Sequence, residues 1–276
     1  WEYNEASADF STNINSYQSS VNENRYTTGL FFEVDKEYYL GNVISFSSRY
    51  DNISDFDSKI SSRIGIAFDY LRASYSQGYR LPTLYEMYGI DSYGYNGNPN
   101  LKSEDIDSYE IGYKIGNFDT ALFYIEESNA ITYANSTYTN VAEGGESKGA
   151  EISYNKDYNG YLFNSNITYT EAKLNNGSEK LRRPNWKNNS SVSKNINDLN
   201  YKISMNYYGD HKDIDSSTYK TIDKDSITTF DLELNQTHKN KMFYLGLYNI
   251  TDEKYEQPDG YNQLGINFQA GIKVIM

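Results

Sequence analysis

The sequence predicts an all-β protein built as an antiparallel up-and-down transmembrane β-barrel. Three observations lead to this prediction. Apolar and polar residues alternate with period two in segment after segment, short and long connections alternate between those segments, and no stretch carries the 3.6-residue apolar stripe of a helix. No apolar run approaches the roughly 18 residues of a membrane-spanning helix, so the prediction depends on strands.

The composition is acidic and rich in tyrosine. The 276 residues carry a net charge of −13, and 30 of them are tyrosine while none is cysteine. The lack of cysteine excludes a disulfide framework and a thiolate metal site, and the acidic charge argues against nucleic acid as a partner. The mean hydropathy of −0.77 resembles that of a soluble protein. A transmembrane barrel also keeps a low average, because only alternate residues face lipid.

Residues 199–207 illustrate the alternation. Tyr201 and Ile203 share one face of a strand, while Lys202 and Ser204 share the other. The same pattern recurs at 60–68, 161–169, 230–235 and 268–274. Segments of this kind predict fourteen strands. In chain order they are 2–10, 25–34, 38–50, 58–68, 70–79, 105–115, 118–133, 146–156, 159–172, 183–194, 199–209, 226–237, 240–250 and 264–275.

The connections between these strands alternate in length. The tight turns are at 35–37, 69, 116–117, 157–158, 195–198 and 238–239, and the long polar loops are at 11–24, 51–57, 80–104, 134–145, 173–182, 210–225 and 251–263. Antiparallel order places all the tight turns at one end, as in outer-membrane barrels with short periplasmic turns and longer extracellular loops. The alternative is a soluble all-β repeat or a lipocalin-like barrel, which has no reason to sort its loops in this way.

Fourteen strands are enough for a small pore but too few for the widest barrels. The chain begins abruptly, with Trp1 directly before the first predicted strand and in what reads as part of it. This favours a wider barrel whose earlier strands precede the chain, because an open sheet would expose two unpaired edges.

Several motifs occur in a fixed order along the chain. They are Gly78-Tyr-Arg-Leu-Pro-Thr-Leu-Tyr-Glu-Met-Tyr-Gly89, Gly97-Asn-Pro-Asn-Leu-Lys-Ser-Glu104, Tyr109-Glu-Ile-Gly-Tyr113, Ser147-Lys-Gly-Ala-Glu-Ile152 and Leu247-Tyr-Asn-Ile-Thr-Asp-Glu-Lys-Tyr-Glu256. This ordered set resembles the TonB-dependent outer-membrane receptors. The resemblance covers nearly the whole chain from about residue 25 onward.

The resemblance implies a fold, a location and a function. Residues 1–276 would be the C-terminal part of a 22-stranded barrel in the outer membrane, with the plug domain and the early strands absent. The implied function is active uptake of a scarce, bulky ligand, energised by the TonB complex through the plug, with outer-membrane lipids around the barrel. We expect no enzyme, cofactor or metal site, since His211 and His238 lie too far apart in the sequence to suggest a triad or a zinc site. A passive porin, with fourteen strands closed around an open lumen, is an alternative.

Within the family, the vitamin B12 (cobalamin) receptor looks closest. Gly29-Leu-Phe-Phe and Lys180-Leu-Arg-Arg-Pro184 are similar to its equivalents. By this resemblance Arg182 and Tyr261 fall where that receptor contacts its ligand, so both are candidate ligand-binding residues. Pairing with lipopolysaccharide phosphates is the alternative for Arg182. Asp215 stands where that receptor has a ligand-facing tyrosine, so a siderophore or haem receptor is an alternative.

The long loop at 80–104 carries a candidate rim motif made of Arg80, Pro82, Asn98 and Pro99. Proline is acceptable there because no ladder hydrogen bond is needed from it. We expect the motif to turn the chain at the membrane rim, either as a fixture that orders the loop or in direct contact with ligand. Two groups of loop carboxylates are interpreted as solvated, with a calcium site as the alternative. They are Asp51, Asp55 and Asp57, and Asp210, Asp213 and Asp215.

Overall fold

The computed structural model describes residues 2–14, 17–38, 42–91, 94–134 and 136–274. Over these ranges most residues are in strands, with a short helix α1 (Leu84–Tyr88). The strands are β1 (Glu2–Ile14), β2 (Tyr17–Glu37), β3 (Val43–Ile53), β4 (Lys59–Phe68), β5 (Leu71–Arg80), β6 (Ile90–Asp91), β7 (Glu104–Ile115), β8 (Phe118–Ala134), β9 (Thr137–Tyr158), β10 (Tyr161–Lys173), β11 (Trp186–Ile196), β12 (Leu199–Tyr208), β13 (His211–Ile214), β14 (Thr221–Lys224), β15 (Ile227–His238), β16 (Lys241–Tyr248) and β17 (Asn267–Val274). Within the described part of the chain, no helix is long and apolar enough to cross a membrane.

The long strands follow one another through a sheet in chain order. The order is β1-β2-β3-β4-β5-β7-β8-β9-β10-β11-β12-β15-β16-β17, with β6 paired to the start of β2. Antiparallel pairing runs from β1 to β5 and again from β10 to β17 along this path. In the described ranges, the fourteen strands of the path correspond one to one with the fourteen predicted strands. The prediction of an up-and-down antiparallel sheet is therefore confirmed.

Two-residue turns close several hairpins because their residues tolerate a left-handed backbone. Asp69, Asn159 and Asn197 have φ values of 45°, 51° and 54°, and Gly160 has a φ of 77°. Asn, Asp and Gly enter this region at the least steric cost, and turns with positive φ match the twist of paired strands. The turn predicted at 157–158 lies at 159–160 for this reason, since Asn159 and Gly160 supply both conformations.

Two of the predicted long loops are wrong. The segment 11–24 is strand except at its tip, where β1 ends at Ile14 and its partner in β2 is Tyr17. The segment 134–145 likewise belongs mostly to β8 and β9. Neither segment contains proline, so two polar strands that extend together can satisfy each other's backbone groups. These two connections are therefore extensions of the β-hairpins and not irregular loops. Trp1, Asn15, Ser16 and Met276 lie outside the described residues.

Two other predicted loops contain secondary structure of their own. α1 and β6 lie within 80–104, and the β13–β14 hairpin lies within 210–225. The segments predicted at 51–57, 173–182 and 251–263 are irregular in their central parts, as expected.

The chain divides into two compact units, one built mainly on β1–β5 and the other mainly on β10–β17. In the first unit, Ile64 lies between Phe46 of β3 and Tyr75 of β5 on one face of the sheet. Ile64 is 49% exposed and Phe46 is 41% exposed. On the other face, Arg72 Nε donates to Glu110 at 3.1 Å. Exposed apolar side chains on one face and ion pairs on the other are the arrangement of a lipid side and a polar lumen side.

The second unit has the same two faces. Ile203 lies between Val192 of β11 and Leu232 of β15 and is 51% exposed. On the opposite face of β12, Lys202 Nζ donates to Glu233 Oε1 at 3.0 Å. The alternation that the sequence predicted at 199–207 is thus present as an apolar row and a polar row.

Candidate functional site

The loop between β5 and β7 begins with a capped helix. Thr83 Oγ1 accepts the N–H of Glu86 at 3.1 Å, and the Glu86 carboxylate accepts the N–H of Thr83 at 2.6 Å. This reciprocal capping box starts α1, whose Leu84 and Met87 are buried. The sequence prediction treated 80–104 as a loop. The Thr-x-x-Glu spacing at 83–86 is the signal that could have revealed this helix.

Arg80 of the rim motif is held by two carboxylates. Its Nε and Nη2 donate to the two oxygens of Glu104 at 2.5 and 2.9 Å, and its Nη1 donates to Glu86 at 3.2 Å. Glu104 also accepts the N–H of Ile131 at 2.7 Å. A forked, charge-assisted pair of this kind fixes orientation as well as distance, so Arg80 joins the end of β5 to α1, β7 and β8.

Asn98 fastens the second half of the same loop. Its Nδ2 donates to the carbonyl of Tyr138 at 3.0 Å, and its Oδ1 accepts the N–H of Asn100 at 3.0 Å. Its own N–H donates to the carbonyl of Glu86 at 2.9 Å. The following Pro99 is exposed. These contacts hold the loop against α1 and β9.

Pro82 is less than 2% exposed. Its carbonyl accepts a hydrogen bond from Arg25, a residue that was not among those predicted from the sequence. Arg25 Nη1 donates to the Pro82 carbonyl at 2.6 Å, while its Nε and Nη2 donate to the Asp55 carboxylate at 2.8 and 2.9 Å. The same Nη2 lies 3.2 Å from the sulfur of Met87. Arg25 is 7% exposed, and it joins Pro82 of the rim motif to Asp55 and Met87.

An aromatic group packs against α1. Tyr95 is 4% exposed, stacks on Tyr85 at 4.8 Å between ring centroids, and donates its hydroxyl to the Tyr85 carbonyl at 2.7 Å. Tyr138 meets Tyr95 edge-on at 5.9 Å. Burial raises the pKa of Tyr95, so its hydroxyl stays protonated and remains a donor. Tyr85, Tyr95 and Tyr138 therefore form a small aromatic core beside α1. The role of the rim motif, as a fixture or as a ligand contact, stays a prediction.

A cavity of about 540 Å³ opens beside the rim motif. Its lining residues include Pro99, Asn100, Lys102, Asp55 and Asp57. Within the described residues, no group of three or more His, Cys, Asp or Glu is arranged to hold a metal ion.

The second unit carries three connections that meet at one carboxylate. We call residues 178–185, 209–226 and 249–266 the outer-loop cluster. Asp213, in β13 and paired with Ile222 of β14, is 1% exposed. Its Oδ1 accepts the Nε of Arg182 at 2.6 Å and the N–H of Ile214 at 2.8 Å, and its Oδ2 accepts the N–H of Asp259 at 2.9 Å. Asp213 therefore contacts all three segments of the cluster.

The ionised form of Asp213 is the one that these contacts require. Burial alone would raise the pKa of its carboxyl, but the N–H of Asp259 and the Arg182 guanidinium outweigh burial and lower the pKa below its ordinary value. The backbone of Arg182 adds two further contacts, because its N–H donates to the Lys212 carbonyl at 2.7 Å and its carbonyl accepts the Tyr208 hydroxyl at 2.8 Å.

A second carboxylate, Asp259, ties the hairpin to the last loop. It accepts the Nζ of Lys224 at 2.9 Å and the N–H of Ser216 at 2.9 Å. The bond from Lys224, followed by that from Ser216, holds the pKa of Asp259 at about 2. Because this pKa lies below that of the unfolded chain, the ionised carboxylate stabilises the fold at any pH above the unfolded pKa. That contribution is lost as the pH falls through about 2. The contact is therefore complete at neutral pH.

The two candidate ligand-binding residues lie in this cluster. Arg182, with a φ of 58°, directs its guanidinium onto Asp213, and its side chain is 48% exposed. Tyr261 is 67% exposed and follows Asp259 by two residues. The structure brings both residues to the outer-loop cluster, whose segments the sequence predicted at the long-loop end. Contact with a ligand stays a prediction for both.

The interpretation of the loop carboxylates as solvated is wrong for Asp51 and Asp213. Asp51 is 4% exposed and accepts the Nε of Arg49 at 2.8 Å. Both are buried because a cation or backbone N–H groups replace water around them. Asp57 and Asp210 are exposed, as expected. His211, predicted in a loop, is buried in β13 with its Nδ1 at 3.1 Å from the Gly209 carbonyl.

Comparison with known proteins identifies the family. The family model described as "TonB dependent receptor-like, beta-barrel" matches residues 1–250. Among curated proteins, the vitamin B12 transporter BtuB of Vibrio cholerae serotype O1 is 26% identical over 236 residues, which cover 79% of this chain and 38% of that protein. The chain thus spans about two fifths of the length of the curated relatives it matches.

Solved structures share the fold at low identity. The siderophore receptor PirA from Acinetobacter baumannii matches with a TM-score of 0.73 and 17% identity over 91% of this chain and 46% of that one. The ferric enterobactin receptor PfeA from Pseudomonas aeruginosa, as a G324V mutant, matches with a TM-score of 0.73 and 18% identity over 92% of this chain and 45% of that one. Together with the family match, these structures identify the fold as part of an outer-membrane β-barrel. The chain belongs to the family of TonB-dependent receptor-like β-barrels.

Proposed function

We propose that this chain is the C-terminal part of the barrel of an outer-membrane receptor that actively takes up cobalamin. The observation that carries the proposal is the alignment with a vitamin B12 transporter over 79% of the chain. Arg182 and Tyr261, the residues that the resemblance places at cobalamin contacts, lie in one loop cluster, which is consistent with this proposal.

A siderophore receptor is the second candidate. The solved structures with a TM-score of 0.73 are a siderophore receptor and a ferric enterobactin receptor, and their likeness to this chain concerns the fold. Asp215 also favours this candidate, because a tyrosine would be expected there in a cobalamin receptor. Its carboxylate accepts the N–H groups of Ser217 and Thr218, so it caps a turn in this chain.

The proposed mechanism needs no covalent chemistry from these residues. The outer loops capture a bulky ligand through many modest polar and aromatic contacts. Loops that are already held in place lose little conformational freedom on binding, which raises affinity. A bound ligand that favours one arrangement of the plug would shift its population, and the TonB complex would then act on the plug. The polar face of the strands would line the lumen that holds the plug.

Equilibrium binding to the full-length receptor tests this function. We expect cyanocobalamin to bind, and ferric enterobactin not to bind at the same concentration. Tyr261→Ala should weaken cobalamin binding about tenfold, because a stacked or packed aromatic contributes about 0.5–1.5 kcal/mol beyond its buried area. The matched control is Tyr158→Ala, which removes a tyrosine that is 62% exposed at the tight-turn end. Binding of ferric enterobactin alone would overturn the cobalamin assignment and support the second candidate.

A further inference from the structure

We propose that Asp213 is a positioning residue that joins the three segments of the outer-loop cluster into one body, so that they open and close together. The inference concerns loop mechanics and needs no ligand. Its consequence for ligand capture rests on the proposed function.

The two oxygens of the Asp213 carboxylate accept hydrogen bonds from different segments. Oδ1 holds Arg182 of the 178–185 segment and the N–H of Ile214 in the hairpin, whereas Oδ2 holds the N–H of Asp259 in the 249–266 segment. A carboxylate can accept at both oxygens at once, so a single side chain bridges three segments. At 1% exposure, water has no access to replace these donors.

Further contacts join the same segments beyond Asp213. Asp259 returns to the hairpin through Ser216 and Lys224. Gly260, with a φ of 83°, passes so close to the hairpin that a Cβ there would lie 2.7 Å from Ser216 Oγ. The 249–266 segment therefore contacts the hairpin through shape and through charge, and the bond from the Asp259 N–H to Asp213 is one of these contacts.

Asp252 is another ion-paired carboxylate, and it lies in the 249–266 segment. Asp252 accepts the N–H of Ile266 at 2.8 Å and the Nζ of Lys254 at 2.8 Å. All three residues belong to one segment. Asp252 therefore stabilises its own loop, while Asp213 couples separate loops, and the two can be tested against each other.

Amide hydrogen exchange of the full-length receptor, read by mass spectrometry on peptides from each segment, tests the coupling. For Asp213→Ala we expect exchange to rise at least about tenfold in both 178–185 and 256–261, because a hydrogen bond to a charged group is lost in each. Asp252→Ala should raise exchange near Ile266 and leave 178–185 and 209–226 within about twofold. Unchanged protection of β15 and β16 in both variants reports that the barrel is folded.

Asp213→Asn gives a sharper result. The amide keeps one acceptor oxygen, which would serve the two donors now at Oδ1, and its NH₂ would face the N–H of Asp259. We therefore expect 256–261 to exchange at least about tenfold faster while 178–185 stays within about twofold. The inference is overturned if Asp213→Ala affects the hairpin alone, or if Asp252→Ala frees all three segments equally. The exchange experiment is carried out without ligand, so its result does not depend on which ligand the receptor binds.

Discussion

Replacing Arg25 by leucine should lower the free energy of unfolding of the receptor barrel by about 3 kcal/mol. The guanidinium makes two bonds to Asp55 and one to the Pro82 carbonyl, and it is 7% exposed. Leucine would leave the Asp55 carboxylate, whose side chain is 19% exposed, without its cation and the Pro82 carbonyl without its donor. Reversible urea unfolding in detergent micelles measures the change.

A more exposed ion pair on the polar face of the same unit supplies the control. Arg72 and Glu110 have side chains that are 38% and 40% exposed. Arg72→Leu should therefore cost less than about 1 kcal/mol, since water and salt screen exposed pairs. Removing both partners with Arg25→Leu and Asp55→Leu should recover part of the loss, because no buried charge is left unpaired. Equal, small effects of Arg25→Leu and Arg72→Leu would contradict the role given to Arg25.

Gly97→Ala is expected to destabilise the rim motif by about 1–3 kcal/mol. A Cβ at position 97 would lie 2.5 Å from the backbone carbonyl of Met87 and 2.5 Å from the backbone nitrogen of Tyr88. These are backbone atoms of α1, so they cannot move aside as a flexible side chain could. The loop would have to shift, and the bond from the Gly97 N–H to the Gly89 carbonyl, at 2.7 Å, would be strained or lost.

Gly78→Ala is the matched control for this prediction. Gly78 lies in β5, and no described atom is within 4 Å of the place where its Cβ would be. Alanine there should change stability by less than about 1 kcal/mol. Limited proteolysis of the 81–103 loop, followed together with urea unfolding, measures both variants. Faster cleavage in Gly97→Ala than in Gly78→Ala is the expected result, and equal cleavage would refute the close packing of the loop.

The strands and their two faces could be predicted from the sequence because period-two alternation is a local property. Tyr201 and Ile203 against Lys202 and Ser204 fix both the strand and its two faces. The lengths of the hairpins at 11–24 and 134–145 could not be predicted in this way. A polar strand that extends into water resembles a polar loop in composition, and only its pairing with a neighbour distinguishes the two.

The site was predicted in its location but not in its contacts. Arg182 and Tyr261 were found through the family resemblance, and the structure brings both to one loop cluster. Asp213 was one of the six loop carboxylates named from the sequence, and nothing in its neighbours distinguishes it, or the buried Asp51, from the exposed ones. Arg25 was missed because its partners Asp55 and Pro82 are 30 and 57 residues away. Contacts at such separations are a result of the fold and leave no local pattern.

The central claim is that the strands present one face to lipid and the other to the lumen, and a spin-label scan of β12 tests it most directly. These 276 residues contain no cysteine, so a single cysteine introduced at each of positions 201 to 206 is the one labelling site within them. Collision with oxygen, which is enriched in lipid, should exceed collision with a water-soluble nickel complex at Tyr201, Ile203 and Met205. The opposite order is expected at Lys202, Ser204 and Asn206. Equal accessibility along the strand, or the reverse assignment of the two sets, would contradict the claim.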